Sequence, residues 1–352
     1  MMALSMPVAM HMPNELLHVG VAGATLAVAA GVVALAARRS RRSLDAERLP
    51  LMGVMGAFVF AAQMVNFPLP GAPISGHLGG GVLLAILLGP AAAIVTMAGI
   101  LIVQCLLFQD GGLLALGCNI INMGVVPSLL GWFVYRRTLG DPQAASGPRQ
   151  YLAAWLACMA GVTGGAALVP LEAIGGPLRP ATTDFFLVVV GVHLPIAFVE
   201  GLITFTVLAY LRRVRPAALG LGACAPAGPQ RMGRTALAVS IAATSLLISG
   251  VLSLFASQHP DGLEWAIARV TGQASAANAA APATDESGDI AAGISQWQDE
   301  HAPMKDYNMP GEKPAGRKWV SRAGLIGTGA TLAVVLAAVW LIRRPMRRRA
   351  RT

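Results

Sequence analysis

The sequence predicts an all-α integral membrane protein, and three observations support that prediction. Of the 352 residues, 55% are apolar and only 12% are charged, whereas soluble domains carry about 25% charged residues. Several apolar stretches approach the ~20 residues that a helix needs to cross a bilayer. Arginines cluster between these stretches. Because backbone polar groups in lipid must be satisfied within their own segment, the spans are expected to be helices.

Nine apolar segments are expected along the chain. The third is too short to cross a bilayer alone, and Gly89-Pro90 separates it from the fourth, because proline interrupts one helix and readily starts the next. Seven segments are expected to form a substrate-binding bundle, and two a hairpin that encloses an extracytoplasmic loop. The predicted segments are 16–37, 50–67, 78–89, 91–108, 113–135, 151–171, 185–211, 235–256 and 323–342.

This pattern divides the chain into two modules. The first module is the seven-segment unit 10–212, which follows an N-terminal extension, 1–9. A cytoplasmic linker rich in Arg, Pro, Gly and Ala, 213–234, leads to the second module, 235–342, whose outer loop is 257–320. A basic cytoplasmic tail, 343–352, ends the chain.

The basic residues predict the orientation of the chain in the membrane. Most of the 26 Lys and Arg residues fall on one side when the N-terminus is placed outside and the C-terminus in the cytoplasm, as the positive-inside rule requires. Residues 1–15 contain no Lys or Arg, and the first span runs into Arg38-Arg39, so a cleaved signal peptide is not expected. The basic excess is therefore interpreted as topology in a lipid membrane, not as binding to nucleic acid.

Two histidines lie at the edges of predicted spans and on the same predicted side. His11 stands in 10–13 (MHMP) and His77 in 75–78 (SGHL). Imidazole suits nickel, cobalt, copper and zinc. In a chain that begins at Met10, the amine, the His11 amide and the His11 ring would form fused chelate rings, and His77 would complete four nitrogens. The alternative is that each histidine is an interfacial residue with a wet polar tip.

Polar residues inside the spans suggest a supporting set. Gln104, Asn119 and Asn122 lie near the same predicted end as the histidines, and polar groups at that depth normally face protein or a cavity. They are expected either to orient the imidazoles or to form interhelical hydrogen bonds. Asp110-Gly111-Gly112 predicts a tight turn. Glu200, in the middle of a span, is interpreted as a packing contact of the bundle, with a proton relay as the alternative.

Several motifs taken together resemble one family. The runs 10–13, 75–78, 104–116 (QCLLFQDGGLLAL), 117–123 (GCNIINM) and 192–204 (VHLPIAFVEGLIT) resemble the cobalt/nickel substrate-capture subunit of energy-coupling-factor transporters, the CbiM/NikM family, over 10–212. In the second module, 259–265 (HPDGLEW), 306–307 (DY) and 324–328 (GLIGT) resemble the PDGLE-type N component of the same systems. The chain therefore resembles a fusion of the two.

The resemblance implies a ligand set and partners. It implies that Ni²⁺ or Co²⁺ is bound by the Met10 amine, the His11 amide and ring, and His77, and that the second module assists metal loading. It also implies a separate transmembrane coupling subunit and a pair of ATPases. The chain has no GxxxxGK[ST] phosphate loop, so it is not expected to be an enzyme that hydrolyses ATP. In the family the Met-His pair opens the protein, so a start at Met10 is expected.

The resulting prediction is the capture subunit of an ATP-driven importer in the bacterial inner membrane, which binds its ion at the outer face. Two alternatives stay open: a stand-alone cation transporter that uses Glu200 as a proton carrier, and a non-transporting sensor or assembly factor that binds a partner through loop 257–320. Nitrogen ligands suit both nickel and cobalt, so the sequence leaves the choice of metal open.

Overall fold

A computed structural model describes residues 11–43, 49–141, 145–176, 182–214, 219, 233–272, 286–308 and 317–343. The predicted extension 1–9, the Met10 amine and the tail beyond residue 343 lie outside the described residues, as does nearly all of the linker. So does part of the outer loop, at 273–285 and 309–316.

Helices make up most of the described structure. In chain order they are α1 Val19–Ser43, α2 Leu49–Gln63, α3 Gly81–Leu88, α4 Pro90–Phe108, α5 Leu116–Leu139, α6 Gly147–Ala166, α7 Val169–Glu172, α8 Thr182–Val214, α9 Arg234–Gly250, α10 Gly262–Thr271, α11 Glu286–His301 and α12 Arg317–Arg343. Short 3₁₀ turns occupy Asn14–Leu16, Leu252–Phe255 and Lys305–Tyr307. Two-residue strands β1 (Phe67–Pro68) and β2 (Ser75–Gly76) pair antiparallel, with Phe67 opposite Gly76.

The all-α membrane class is confirmed. Among the described residues, seven helices are long and apolar enough to cross a membrane: α1, α4, α5, α6 with α7, α8, α9 with the turn that follows it, and α12. The other two predicted segments correspond to the shorter helices α2 and α3. The second segment was predicted to reach residue 67, but α2 ends at Gln63, because the prolines at 68, 70 and 73 favour extended and turn conformations over helix. α3 has only eight residues, which agrees with the expectation that this segment is too short to cross a bilayer alone.

The predicted break between the third and fourth segments is confirmed. Gly89 has φ +86°, in the left-handed region that glycine adopts without steric cost. Pro90 is the first residue of α4, where its missing N–H removes no helical bond. The two helices therefore meet at a sharp turn.

Helix α4 is the centre of the packing. In its most apolar window 78% of the residues are buried, against 17% for α1. The central helices α4 and α5 also carry π-helical turns, at Gln104–Phe108, Ile120–Val125 and Pro127–Gly131. Such turns often mark functional sites, and here two of them contain Gln104 and Asn122.

The second module packs directly on the first. α12 lies against α2 and α4, α9 against α2, and α10 against α8. The helices of the two modules approach closely because glycines lie at their contacts. A Cβ at Gly327 would lie 2.1 Å from the Phe60 ring, and one at Gly53 would lie 2.8 Å from the Leu336 side chain. The hairpin is therefore part of the same packed body as the bundle.

Candidate metal centre

His11 is buried where the N-terminal segment (residues 11–18) meets the loop after α4. Its Nδ1 lies 2.7 Å from Asp110 Oδ1, and both side chains are fully shielded from solvent. A carboxylate only accepts hydrogen bonds, so Nδ1 donates and a neutral ring keeps its lone pair on Nε2. That Nε2 atom is buried and has no hydrogen-bond partner. A buried polar atom of this kind needs an explanation, and a bound metal ion would provide one.

Asn119 holds the backbone next to His11. The Met12 N–H donates to Asn119 Oδ1 at 3.0 Å, and Asn119 Nδ2 donates back to the Met12 carbonyl at 3.3 Å. The Gly112 N–H donates to the same carbonyl at 3.0 Å. From the sequence, Asn119 is expected either to orient the imidazoles or to form an interhelical hydrogen bond. In the structure its side chain bonds to the backbone of Met12, the residue after His11, and so fixes the path of the main chain there.

Two glycines allow the Asp110 loop (residues 109–115) to lie against the N-terminal segment. Gly111 has φ +91°, and a Cβ there would lie 2.8 Å from the His11 Cβ. A Cβ at Gly112 would lie 2.1 Å from Asn14 Oδ1. The sequence predicts Asp110 only as part of a turn, and its contact with His11 is seen only in the structure. The available signal was a carboxylate at the end of an apolar helix, on the same predicted side as His11.

His77 lies beside His11. The two ring centroids are 6.1 Å apart and the ring planes differ by 34°. His77 Nδ1 lies 3.2 Å from the Leu78 carbonyl and donates to it, which leaves Nε2 as the atom with a lone pair. A metal–imidazole bond is about 2.0–2.1 Å long, so rings at this separation need only small movements to share one ion. The structure thus brings together the two histidines singled out in the sequence.

The His77 loop (residues 64–80) is held from two sides. The Gly79 and Gly80 N–H groups donate to Glu200 Oε2 at 2.7 Å and Oε1 at 3.0 Å. Gln63 Nε2 donates to the Gly79 carbonyl at 3.0 Å, and Gln104 Nε2 donates to Gln63 Oε1 at 3.0 Å. Gln104 therefore supports His77 indirectly, through Gln63. Glu200 fixes the turn that follows His77, which agrees with its interpretation as a structural contact.

Asn122 occupies a different position from Asn119. Its Nδ2 donates to Glu172 Oε2 at 2.6 Å, and its Oδ1 is buried without a partner. The side chain lines the cavity below the histidines. Its hydrogen bond goes to Glu172 and not to either imidazole, so its predicted role in orienting them stays a prediction.

A cavity of about 90 Å³ adjoins the two histidines. The first module forms most of its wall, and Asp261 and Gly262 of the second module close one side. A third histidine, His193, also lines it, and its Nδ1 donates to the Val189 carbonyl at 2.7 Å. The polar lining residues are His11, His77, Asn119, Asn122, His193, Glu200 and Asp261.

Two of the titratable groups that line the cavity lie outside the spans and have shifted pKa values. Burial, and then the neighbouring His11, lower the pKa of His77 from 6.5 to about 4. His77 is therefore neutral at neutral pH, which is the form that binds metal ions. Burial, with a smaller contribution from the nearby Asp110, raises the pKa of Asp261 from 3.8 to about 7, against the hydrogen bond from the Glu264 N–H, which lowers it.

The structure leaves part of the predicted ligand set as a prediction. Within the described residues, no three His, Cys, Asp or Glu side chains are grouped as a metal site, and the Met10 amine is outside them. A chelate through the His11 amide and its own ring would use Nδ1, the atom that here contacts Asp110. The fused-ring arrangement would therefore require the His11 ring to turn away from Asp110.

Comparison with known proteins identifies both modules. The family model described as "Cobalt uptake substrate-specific transmembrane region" (CbiM) matches residues 11–218, and the PDGLE domain model matches 235–344. The "Fused nickel transport protein NikMN" of Rhodobacter capsulatus is 31% identical over 318 residues, which cover 85% of this chain and 88% of that protein. The "Cobalt transport protein CbiM" of Geobacter sulfurreducens is 34% identical, with coverage of 69% and 72%. A crystal structure of a truncated transition metal transporter is 30% identical, covers 58% of this chain and 99% of that chain, and has a TM-score of 0.44.

Proposed function

Because the chain belongs to the CbiM family of cobalt and nickel transport proteins and carries a fused PDGLE domain, we propose that it captures Ni²⁺ or Co²⁺ for import. The observation that supports this most directly is the adjacent pair of imidazoles, of which His11 is buried and His77 partly buried. His11 and His77 lie side by side, and His11 Nε2 is buried with no hydrogen-bond partner. Imidazole nitrogens are suitable ligands for both ions.

The proposed ligands are the His11 and His77 rings, together with the Met10 amine and the His11 amide. Asn119 would hold the first ligand segment, and Glu200, Gln63 and Gln104 the second, through the hydrogen bonds described above. Asn122 is proposed as a polar group of the cavity wall. Because residues from several helices of the bundle line the cavity together with the histidines, it is proposed as the space that the ion enters once it leaves them.

Energy for import is proposed to come from a separate transmembrane coupling subunit and ATPase subunits. The chain lacks a phosphate-binding loop of its own, and its relatives are transport proteins. Glu200 is poorly suited to the rival role of proton carrier, because both of its carboxylate oxygens accept hydrogen bonds from backbone amides. The excess of arginine on the opposite side supports placing the histidines outside the cell.

The binding step is tested by calorimetric titration of purified full-length protein with NiCl₂ and CoCl₂. His77→Ala is expected to weaken binding by more than about 100-fold, beyond the ~10–100-fold typical of groups that only support a ligand. His18→Ala is the matched control, because His18 is exposed and its Nδ1 accepts a hydrogen bond from the Gly20 N–H. Equal affinities for wild type and His77→Ala would contradict the proposed site.

The transport step is tested in liposomes with radioactive nickel and cobalt. Uptake is expected only when the chain is reconstituted with the coupling and ATPase subunits and ATP is supplied. Uptake by the chain alone, driven by a proton gradient, would favour the stand-alone transporter instead. Failure to co-purify with ATPase subunits from native membranes would favour the sensor or assembly factor.

A further inference from the structure

A third imidazole lines the cavity beside His11 and His77. His193 of α8 donates its Nδ1 proton to the Val189 carbonyl at 2.7 Å, so the ring keeps its lone pair on Nε2. The second module packs against this ring, since a Cβ at Gly262 would lie 3.5 Å from His193 Cε1. After burial and His11, His193 also contributes to the lowered pKa of His77, because the two imidazoles lie near each other. The proposed ligand set makes no use of His193 Nε2.

A π-helical turn of α5 adds an amide oxygen to the same cavity wall. Asn122 is only 6% exposed, and its Oδ1 is buried with no hydrogen-bond partner. Its Nδ2 donates to Glu172, which is not among the residues that line the cavity. Buried polar atoms are normally paired. Because the amide nitrogen is directed at a residue outside the cavity wall, the oxygen is the atom left to serve the cavity.

The charges of the cavity wall favour a cation. Glu200 follows His193 by two helical turns, and side chains at that spacing share one face of a helix. Both line the cavity, and among the described residues that line it none is Lys or Arg. Glu200 keeps its carboxylate oxygens on the Gly79 and Gly80 amides, so it contributes negative charge without being needed as a ligand.

We propose that His193 Nε2 and Asn122 Oδ1 form a second, weaker position for Ni²⁺ or Co²⁺ inside the cavity, which receives the ion from His11 and His77. This inference rests on the proposed function and names residues on the route that the ion takes inward. The cavity volume is about 90 Å³, and a water in a polar cavity needs roughly 10–15 Å³ of such space. There is therefore room for an ion that keeps several waters while it contacts the two side chains.

The ligand types make the second position weaker than the first. Imidazole nitrogen suits both ions, whereas amide and water oxygens suit harder ions such as Mg²⁺ and Ca²⁺. One nitrogen, one oxygen and several waters therefore bind Ni²⁺ or Co²⁺ less tightly than the proposed nitrogen set. A position on a conduction route must bind well enough to accept the ion and weakly enough to release it, and this donor set meets both conditions.

The first test measures the second position alone, by titrating CoCl₂ into a full-length chain that carries His11→Ala and His77→Ala. This double variant is expected to keep weak binding, and adding His193→Phe should weaken it at least ~10-fold, the lower end of what losing even an indirect support of a metal ligand costs. His301→Phe is the matched control, because His301 Nδ1 makes the same bond to a carbonyl four residues earlier, at 2.8 Å, but is exposed. Absence of weak binding, or equal weakening by both substitutions, would overturn the proposal.

The second test asks whether the Asn122 oxygen takes part. In the same double variant, Asn122→Ala removes Oδ1 together with the hydrogen bond to Glu172. Glu172→Ala breaks that bond from the other side and leaves Oδ1 in place, so it serves as the control. Asn122→Ala is expected to weaken Co²⁺ binding more than Glu172→Ala does. An equal or larger loss in Glu172→Ala would overturn the assignment of this oxygen as a ligand.

The third test separates capture from transfer in the chain with His11 and His77 intact. His193→Phe is expected to leave the affinity for the first Ni²⁺ unchanged in calorimetric titration. In liposomes with the coupling and ATPase subunits, its maximal uptake rate should fall severalfold below that of His301→Phe. Equal uptake rates would overturn this inference alone. A wild-type chain that binds neither Ni²⁺ nor Co²⁺ would overturn the proposed function itself, so the two failures are distinguishable.

Discussion

The two modules contribute different things to the same cavity. The first module supplies the paired imidazoles of His11 and His77. In the described part of the second module, His259 and His301 are exposed, and the groups directed inward are Tyr307, Gln298 and Asp261. Gln298 contacts the N-terminal segment through Asn14, Tyr307 contacts Asp110, and Asp261 lines the cavity. The proposed ligands and several of the contacts around them are thus divided between the modules.

The difference follows from where regular structure ends. Neither the N-terminal segment nor most of the His77 loop belongs to a long helix, so their backbone groups need other partners. The second module supplies several of them. The Ser75 N–H donates to the Pro260 carbonyl at 2.8 Å, the Ser257 N–H donates to the Asn66 carbonyl at 2.8 Å, and Asn14 Nδ2 donates to Gln298 Oε1 at 3.1 Å. The two segments that carry the histidines are therefore held in part by the neighbouring module.

The largest expected effect comes from disturbing the first module itself. In Gly112→Ala the new Cβ would lie 2.5 Å from the Asn14 backbone nitrogen, so the N-terminal segment must move away from the Asp110 loop. We expect a loss of several kcal/mol in the free energy of unfolding, since overpacking costs roughly 1–3 kcal/mol or more, together with loss of Ni²⁺ binding. Gly293→Ala in α11 has open space around its Cβ and serves as control. Equal thermal unfolding of the two variants would show that this contact is not tight.

Glu200→Gln is expected to have the next largest effect. The amide offers one oxygen acceptor where the carboxylate offers two, so either the Gly79 or the Gly80 N–H loses its partner. An unsatisfied buried group costs about 1–3 kcal/mol, and the loosened His77 loop should lower Ni²⁺ affinity. Glu300→Gln, at an exposed position in the second module, is the control. Unchanged titration and melting curves would mean that Glu200 does not position His77.

Gln298→Ala tests the second module's part in the comparison. Gln298 Oε1 accepts from the Leu113 N–H at 2.9 Å, and its Nε2 donates to the Gly111 carbonyl at 3.3 Å. We expect a loss of about 1–3 kcal/mol. The effect on affinity should be smaller than that of Glu200→Gln, because these two bonds hold the Asp110 loop, which carries neither histidine, whereas Glu200 holds the turn directly after His77. Gln296→Ala, exposed on the same helix, is the control. A larger affinity loss than for Glu200→Gln would reverse the division of roles.

The smallest effect on Ni²⁺ binding is expected at Asp261, whose effect on stability depends on pH. With a pKa raised from 3.8 to about 7, the folded protein keeps a proton that the unfolded chain has released. The free energy of unfolding therefore falls as the pH rises from about 4 to about 7. Asp261→Asn keeps a good helix N-cap and should remove this slope. The free energy of unfolding of the variant, compared with that of the wild type, should therefore be more favourable at pH 8 than at pH 5. Asp289→Asn, at an exposed position, should leave the slope unchanged in thermal unfolding.

Much of the architecture was predictable because it depends on local composition. Apolar length located the long helices, and Gly89-Pro90 located the break before α4, since each depends on the residues of one segment. The end of α2 was missed because the apolar run continues past Gln63, while the prolines that follow stop the helix. The pairing of His11 with His77 was also anticipated, because both lie at span edges on one side.

The sequence by itself determined a helical membrane protein with two modules and a histidine at each of two span edges. Only the tertiary structure decided what surrounds those histidines: Asp110 on His11, Glu200 on the turn after His77, and Tyr307 on Asp110. The physical reason is that helix formation and membrane insertion depend on neighbours along the chain, whereas these contacts join residues about 100 to 200 positions apart. Such contacts exist only once the helices have packed.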